Sequence, residues 1–370
     1  MNDTPQFGSL SSLARARPQR LAEADPERLE REVSEVIAGF RADIRRRTHT
    51  AYIAADRLAK AGLRDLHDDI LMAVPVDFIK EWRMRKNGWR TSLGSSFSAA
   101  MGQYRQFSNE VRRVNGKGTL GRIFQKQEGR DFAEALGLAV AEQYQTSVHL
   151  DALKPVPGTL IKPSKDNGSK GVIVFDHDGS LYELRSKDRY KDWAEAKAFL
   201  ADAMESGYLV SKQFHLEELL QGPEGGIPHD VKFYTFYGKV GLALEIKRGE
   251  EADQFCFYRD GQEVSTGKYE DRTFSGAGVP AEWDALARMV SSAVPLPFLR
   301  IDFYRTNKGL YMGEFTRWPG SFEDFNVEYD RYLGELFAKA DAQLYSDLIH
   351  GKEFSDYMQF SYPSERTAFR

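Results

Sequence analysis

Residues 298–315 read FLRIDFYRTNKGLYMGEF. Leu299, Ile301 and Phe303 alternate with Arg300, Asp302 and Tyr304, the period of a half-buried strand. The segment Asn307-Lys308-Gly309 predicts a three-residue hairpin loop, with glycine where a left-handed backbone is wanted. That loop pairs Asp302 with Glu314, Arg300 with Thr316 and Tyr304 with Met312. Opposed residues share a face, with Cβ atoms about 5 Å apart. Two carboxylates so placed repel unless a cation stands between them. A hard divalent cation such as magnesium suits carboxylate oxygens. On a solvated face Arg300 or Lys308 would neutralise the pair instead, and a slip of one residue would send the carboxylates to opposite faces. The residues alone leave both readings open.

A magnesium site of two carboxylates leans on phosphate oxygens for further ligands, so phosphate binders are the next search. The loop PSKDNGSKG, residues 163–171, carries Lys165 and Lys170 and follows Lys162 on a short predicted strand. Its glycines allow tight turns that expose backbone N–H groups. It is not a Walker loop, since GxxxxGK[ST] is absent. In HDVKFYTFYGKVGLALEIKRG, residues 229–249, Asp230, Lys232, Tyr234 and Phe236 share one face. Glu245 and Lys247 share a face on the return strand. Charges this dense in apolar strands are either pairs on an open face or the lining of a cleft that neutralises an anion.

Working outward, short strands are predicted at 159–163, 171–175, 181–184, 208–214, 231–237, 240–246 and 255–259. The pairs Asp178-Gly179 and Asp260-Gly261 read as tight turns. Helices are predicted over 129–150, 188–204, 281–290 and 329–348. Near the start, Asp25 and Pro26 predict a helix N-terminus, with Leu29, Val33, Val36, Ile37, Phe40 and Ile44 at helical spacing. A separate helix is predicted over 51–66. The class is α+β, built from hairpins and packed helices. Residues 76–126 interleave Trp82, Arg83, Arg85, Lys86, Trp89 and Arg90 with Arg112, Arg113, Lys117 and Arg122. Such a pattern is either a solvated surface with anchoring tryptophans or a binder of phosphate-bearing or other anionic groups.

The 370 residues suffice for two or three packed units. A net charge of -4 argues against a dedicated nucleic-acid binder. The lone Cys256, in the run QFCF, forms no internal disulfide and reads as a small buried strand residue. No stretch approaches the roughly 20 apolar residues of a membrane span. The opening MNDTPQFGSLSSLARARPQR has no apolar signal core, so a cytoplasmic protein is expected. None of the seven histidines stands in HExxH, and GxSxG is absent; His215 and His229 read as ordinary polar histidines.

The ordered set FQKQEGRDFAEALG (124–137), LIKPSKDNGSKGV (160–172), HDVKFYTFYGK (229–239) and FLRIDFYRTNKGLYMGEFTRWPGS (298–321) resembles the TupA-like group of ATP-grasp proteins. Tyr329-Asp330 and Leu333-Gly334 extend the likeness to about residue 343, so it covers well over half of the chain. The resemblance implies an ATP-grasp fold with a helical N-terminal region, using ATP and Mg2+. It places a small subdomain at 121–215 and a metal-bearing subdomain at 216–350; outside it, residues 1–24 and 351–370 read as tails and 25–120 as a mainly helical region expected to bind the acceptor. Lys126 and Lys162 would reach the ATP phosphates. Ser164, Gly168, Ser169 and Gly171 would belong to a mobile lid. Lys212, Gln213 and Phe214 would lie at the adenine hinge. Asp302 and Glu314 would hold magnesium, and Arg300 would sit at the transferring phosphate. Arg130 and Lys232 are further candidates, with Lys232 grouped with Arg300 and Lys162 as catalytic.

Two departures stand out. Relatives often carry Glu-x-Asn at the last metal position, where this chain has Glu314-Phe315-Thr316. Relatives often place an acidic residue near the adenine, where this chain has Ser211-Lys212-Gln213. The expected activity is a carboxylate–amine ligase working through an acyl phosphate. Its partners would be a small-molecule or saccharide carboxylate and an amine acceptor, in cell-surface polysaccharide or peptide-like metabolite synthesis. The alternative is a kinase acting on a hydroxyl; a binding protein without chemistry is the third reading. Self-association into a homo-oligomer is left open by the sequence.

Overall fold

The structure is a computed structural model that describes residues 26–74, 95–115, 121–166, 168–249 and 252–361, with 78, 80 and 82. Two compact units divide it, residues 1–94 and 95–370.

In the first unit, α1 spans Pro26–Lys60 and α2 spans Arg64–Met72. The two helices expected here are one continuous helix of 35 residues. Between Arg41 and Lys60 the chain has no glycine or proline to end a helix, and Gly62, at φ 76°, supplies the first stop. Pro26 takes the first helical position, whereas the expected cap Asp25 lies outside the described residues. Tyr52, Ala55 and Leu71 form the small core between α1 and α2. The Tyr52 hydroxyl donates to the Phe78 carbonyl and accepts from Lys80 N at 3.1 Å. Of the expected tryptophan–arginine patch only Trp82 is described, and it is exposed; Arg83, Arg85, Lys86, Trp89 and Arg90 lie outside.

The second unit opens with α3, Phe97–Asn115, and α4, Lys126–Ala135. The helix expected to reach residue 150 stops at Ala135, where Gly137 at φ 79° turns the chain. Strand β1, Gln143–His149, takes the remainder, because pairing with a later strand outweighs weak local helix preference. Five more strands complete the first sheet: β2 Thr159–Pro163, β3 Ile173–Phe175, β4 Leu181–Glu183, β5 Arg189–Tyr190 and β6 Gln213–Glu218. Their order is β1-β6-β2-β3-β4-β5. Helix α5, Trp193–Glu205, covers one face through Ala196, Leu200 and Ala203, which pack on Ile161, Phe214 and Leu216.

The second sheet contains β7 His229–Thr235, β8 Val240–Lys247, β9 Gln254–Arg259, β10 Gln262–Val264, β11 Leu299–Thr306 and β12 Gly309–Thr316. Their order is β10-β9-β8-β7-β11-β12, antiparallel throughout. Alternation sorts the side chains into two cores. Val231, Phe233, Leu299, Ile301 and Phe303 face α4 and α6, Ala281–Ser292. Buried Cys256 belongs to this core, as expected. Tyr234, Leu242, Leu244 and Phe257 face the other way, against α3 and α7, Val327–Ile349. Gly334 lets α7 approach the Ser96–Phe97 backbone, since a Cβ there would meet Ser96 N at 2.5 Å. A last helix, α8 at Ser355–Ser361, buries Tyr357 against Phe132. No described helix is long and apolar enough to cross a membrane.

Candidate functional site

On its second face the large sheet is apolar at one end only. Towards the other end it carries Asp230, Lys232, Arg300, Asp302, Tyr304 and Glu314. The β11–β12 hairpin sets the register of this patch. Thr306 pairs with Gly309, so the turn holds two residues, Asn307 and Lys308, and not the three expected. A two-residue turn alone would pair Asp302 with Gly313 and throw Glu314 to the opposite face. A bulge between Asp302 and Phe303 restores the expected partner, and Asp302 faces Glu314. Gly313 supplies the extra residue. A Cβ there would lie 2.9 Å from the Asp302 carbonyl oxygen and 3.1 Å from the Tyr304 ring.

Asp302 is buried and takes three charged donors. Arg300 donates through Nε and Nη2, each at 2.7 Å, and Lys232 donates at 2.8 Å. Burial alone would raise the Asp302 pKa, but Arg300 and Lys232 outweigh it and hold the carboxylate below its ordinary value. Arg300 also reaches Thr316 Oγ1 at 3.1 Å. Glu314 differs. The residue as a whole is exposed, Thr316 Oγ1 lies 3.5 Å from its carboxylate, and among the described residues it forms no ion pair. Burial against neighbouring atoms, then the charge of Asp302, raise its pKa.

The small sheet supplies the facing wall. Lys162, His215 and Glu217 point away from the α5 core. Lys162 bonds Glu217 at 2.6 Å and lies 5.9 Å from the Tyr304 ring centre, which joins the two sheets. Burial would lower the Lys162 pKa, but Glu217 outweighs it and the net shift is upward. Lys126 donates to the Pro163 carbonyl at 2.6 Å. Burial, then the charge of Lys162, lower its pKa. His215, lowered by burial, lies 3.2 Å from Gln143 Nε2.

The glycine-rich loop is tied at both ends. Ser164 N donates to Gln213 O at 2.9 Å and to Ser211 Oγ at 3.0 Å. Asp166 is buried and accepts Val210 N at 3.0 Å and Ser211 N at 2.8 Å. At the far end Gly171 N donates to buried Glu183 at 2.9 Å. Between them Gly168 and Ser169 take left-handed conformations, and Gly168 is exposed. Asn167 lies outside the described residues.

Most sequence candidates therefore converge. Lys126, Lys162, Lys232, Arg300, Asp302 and Glu314 share one electrostatic neighbourhood, with the loop of Ser164, Gly168, Ser169 and Gly171 beside it. The hinge candidates part company. The strand expected at 208–214 is β6 at 213–218, so Lys212 and Gln213 are exposed at its start and Phe214 is buried in the α5 core. Glu217 and Glu218, at the end of that strand, are acidic residues five positions beyond the stretch expected at the hinge. Their signal was HLEE, where alternation puts His215 and Glu217 on the face of Lys162. Arg130 is engaged with Glu134 at 3.0 Å and with the Ala141 carbonyl. Also missed was buried Lys268, which donates at 2.6 Å to the carbonyls of Gly320 and Ser321 and whose pKa burial pushes down to about 8.

Among the described residues no cluster of three or more His, Cys, Asp or Glu is arranged for a metal. The donor set still fits a magnesium that takes further oxygens from phosphate and water. Glu314 is the observation behind that fit, a carboxylate beside a second carboxylate with no cation bonded to it.

Solved structures similar to this chain include D-alanine–D-alanine ligases. That from Bacillus anthracis is 12% identical over 61% of this chain and 69% of its own, with a TM-score of 0.38. That from Helicobacter pylori is 18% identical over 58% and 57%, with a TM-score of 0.35. The ATP-grasp ligase PsnB complexed with a minimal precursor is 14% identical over 60% of each chain, with a TM-score of 0.35. This chain thus spans less than two thirds of the second and third of these proteins. No curated protein matches the sequence. The family comparison is specific: residues 103–338 match the TupA-like ATP-grasp family, and the chain belongs to that family.

Proposed function

We propose that this protein is an ATP-dependent carboxylate–amine ligase that forms an acyl phosphate. The observation that carries the reading is the convergence of four cations on one carboxylate pair. Lys126 and Lys162 come from the small-sheet side, Lys232 and Arg300 from the large sheet. Phosphoryl transfer asks for alignment and neutralisation of charged oxygens more than for a covalent nucleophile. Bound magnesium on Asp302 and Glu314 would supply charge neutralisation at the nucleotide phosphates.

The chain's own residues supply the rest. Lys126 and Lys162 bind phosphate oxygens, Lys162 held in place by Glu217. Arg300 and Lys232 stand at the reacting end. With a metal held by Asp302, the donors of Arg300 and Lys232 that now meet this carboxylate would serve the transferring phosphate or the substrate carboxylate. The loop 164–171 closes over the nucleotide and excludes water that would hydrolyse an acyl phosphate. Glu217 and Glu218 border the position of the purine. Residues 121–215 serve as the nucleotide-side subdomain and 216–350 as the metal-side subdomain, and the protein works in the cytoplasm.

The test is ADP production with magnesium, a panel of carboxylates and a panel of amines. Release that requires both substrates and yields an amide supports the ligase. A phosphorylated product with no amine requirement would replace it with a kinase acting on a hydroxyl.

A further inference from the structure

Three arginines stand outside every interaction used so far. Arg105 and Arg112 lie seven residues apart on α3, two turns along one face and about 10 Å apart. Arg317 directly follows β12 and is half-buried. Among the described residues, none of the three is paired with a carboxylate. Their neighbours show that partners are normally found. Arg113, also on α3, pairs with Glu110 at 2.8 Å, Arg122 pairs with Glu128, and Arg130 pairs with Glu134.

Two of the three, Arg105 and Arg317, are backed by aromatic rings instead. The Arg105 guanidinium lies 5.8 Å from the Trp318 ring centre, and that of Arg317 lies 5.3 Å from the ring centre of Phe124. Burial, then the like charge of Arg112, depress the Arg317 pKa. Arg105 and Arg112 are exposed and Arg317 is half-buried; the repulsion between Arg112 and Arg317 is relieved by an anion, and the planar guanidinium forks suit carboxylate or phosphate oxygens. Rings beneath them hold the forks in place. In sequence the patch borders residues of the proposed reaction centre. Thr316, beside Arg317, contacts Arg300 at 3.1 Å, and Phe124 stands two residues before Lys126.

We infer that Arg105, Arg112 and Arg317, backed by Trp318 and Phe124, form an acceptor subsite for a substrate arm bearing at least two anionic groups, carboxylate or phosphate. Its place in the reaction rests on the ligase reading; the anion binding does not. The spacing of Arg105 and Arg112 calls for more than one acidic group, and Arg317 draws one of them towards Arg300.

The experiment uses the full chain, alone and saturated with ADP and magnesium, titrated in a calorimeter with tetraglutamate and with a doubly phosphorylated peptide of neutral sequence. At least one probe binds, and its affinity falls as salt rises. Arg112→Gln and Arg317→Gln each weaken that binding about 10-fold, the loss expected for one charge-assisted contact, and Arg113→Gln leaves it unchanged. ADP affinity stays within about twofold in all three variants, as expected for arginines that touch no nucleotide. The preferred probe tells carboxylate from phosphate recognition. If Arg317→Gln fails to fold, Arg105→Gln and Arg112→Gln, on the exposed face of α3, decide the outcome. The subsite is overturned if neither probe binds, or if binding persists in the Arg105→Gln/Arg112→Gln double variant. Loss of ADP binding by the unaltered protein would instead count against the ligase reading, with arginine-dependent probe binding still standing.

Discussion

The β11–β12 floor of the candidate site and the glycine-rich loop beside it solve opposite problems. On the floor, Asp302 takes three charged donors within 2.8 Å, and a bulge fixes which residue faces it. Among the described residues, buried Asp166 and Glu183 tie the two ends of the loop, and its glycines sit in left-handed conformations with Gly168 exposed. Charge that must be aligned is placed on paired strands. The glycine-rich backbone is strung between two buried carboxylate anchors. The difference teaches that rigidity here follows the chemistry, with freedom confined to a few residues.

The largest effect is expected on the floor. Asp302→Ala leaves Arg300 and Lys232 without their counter-charge, so it should cost about 3–5 kcal/mol in urea denaturation. ADP production should fall by about 10³-fold. A near-wild-type rate would remove Asp302 from the metal site. Gly313→Val comes next. Its side chain would press on the Asp302 carbonyl and the Tyr304 ring. Turnover should drop about 100-fold from displaced geometry, while stability falls by only about 1–3 kcal/mol. Equal losses in Gly313→Val and in a Gly309→Val control would show that the bulge has no special part.

The loop predicts a different signature. Asp166→Ala frees Val210 N and Ser211 N, so the KM for ATP should rise about tenfold with kcat within about threefold. Limited proteolysis should cut faster between residues 165 and 171. A fall in kcat alone would place Asp166 in the chemistry and erase the contrast with the floor. The smallest effect concerns Glu314 in metal-free protein. Its folded pKa is raised, so the folded state holds that proton more tightly than the unfolded chain does. Stability from this source is present at low pH and is lost as pH climbs through and beyond the ordinary glutamate range. Glu314→Gln should therefore melt a little higher than the parent at pH 8 in chelator, and the gap should close near pH 4. A gap that widens on acidification would reverse the sign of the argument for a missing cation at Glu314.

Much of this was legible because strands alternate. Leu299, Ile301 and Phe303 against Arg300, Asp302 and Tyr304 announced a strand with one apolar and one charged face, and the structure keeps that sorting. The Asp302–Glu314 pairing was also legible, although by a loop of the wrong length. The expected three-residue turn and the observed two-residue turn with a bulge give the same partner, because each adds one residue to the same strand. β1 and the true extent of β6 were not legible. Residues 136–150 have weak local preference, and their pairing with β6 is a contact between segments some 70 residues apart. Once β6 was misplaced, the acidic pair Glu217 and Glu218 was missed as well.

The sequence by itself determined which side chains lie on which face, the glycines that allow the turns of the loop from Ser164 to Gly171, and membership of the TupA-like ATP-grasp family. These depend on short-range periodicity, backbone sterics and motif order, all written in consecutive residues. Only the tertiary structure decided what each charge meets. Lys162 finds Glu217, Asp302 finds Arg300 and Lys232, Asp166 finds the Val210–Ser211 backbone, and Arg317 finds a phenylalanine ring and, among the described residues, no carboxylate. Those outcomes follow from the antiparallel ordering of strands distant in sequence. Local preference carries no information about that ordering, and a shift of one residue in register would reverse it.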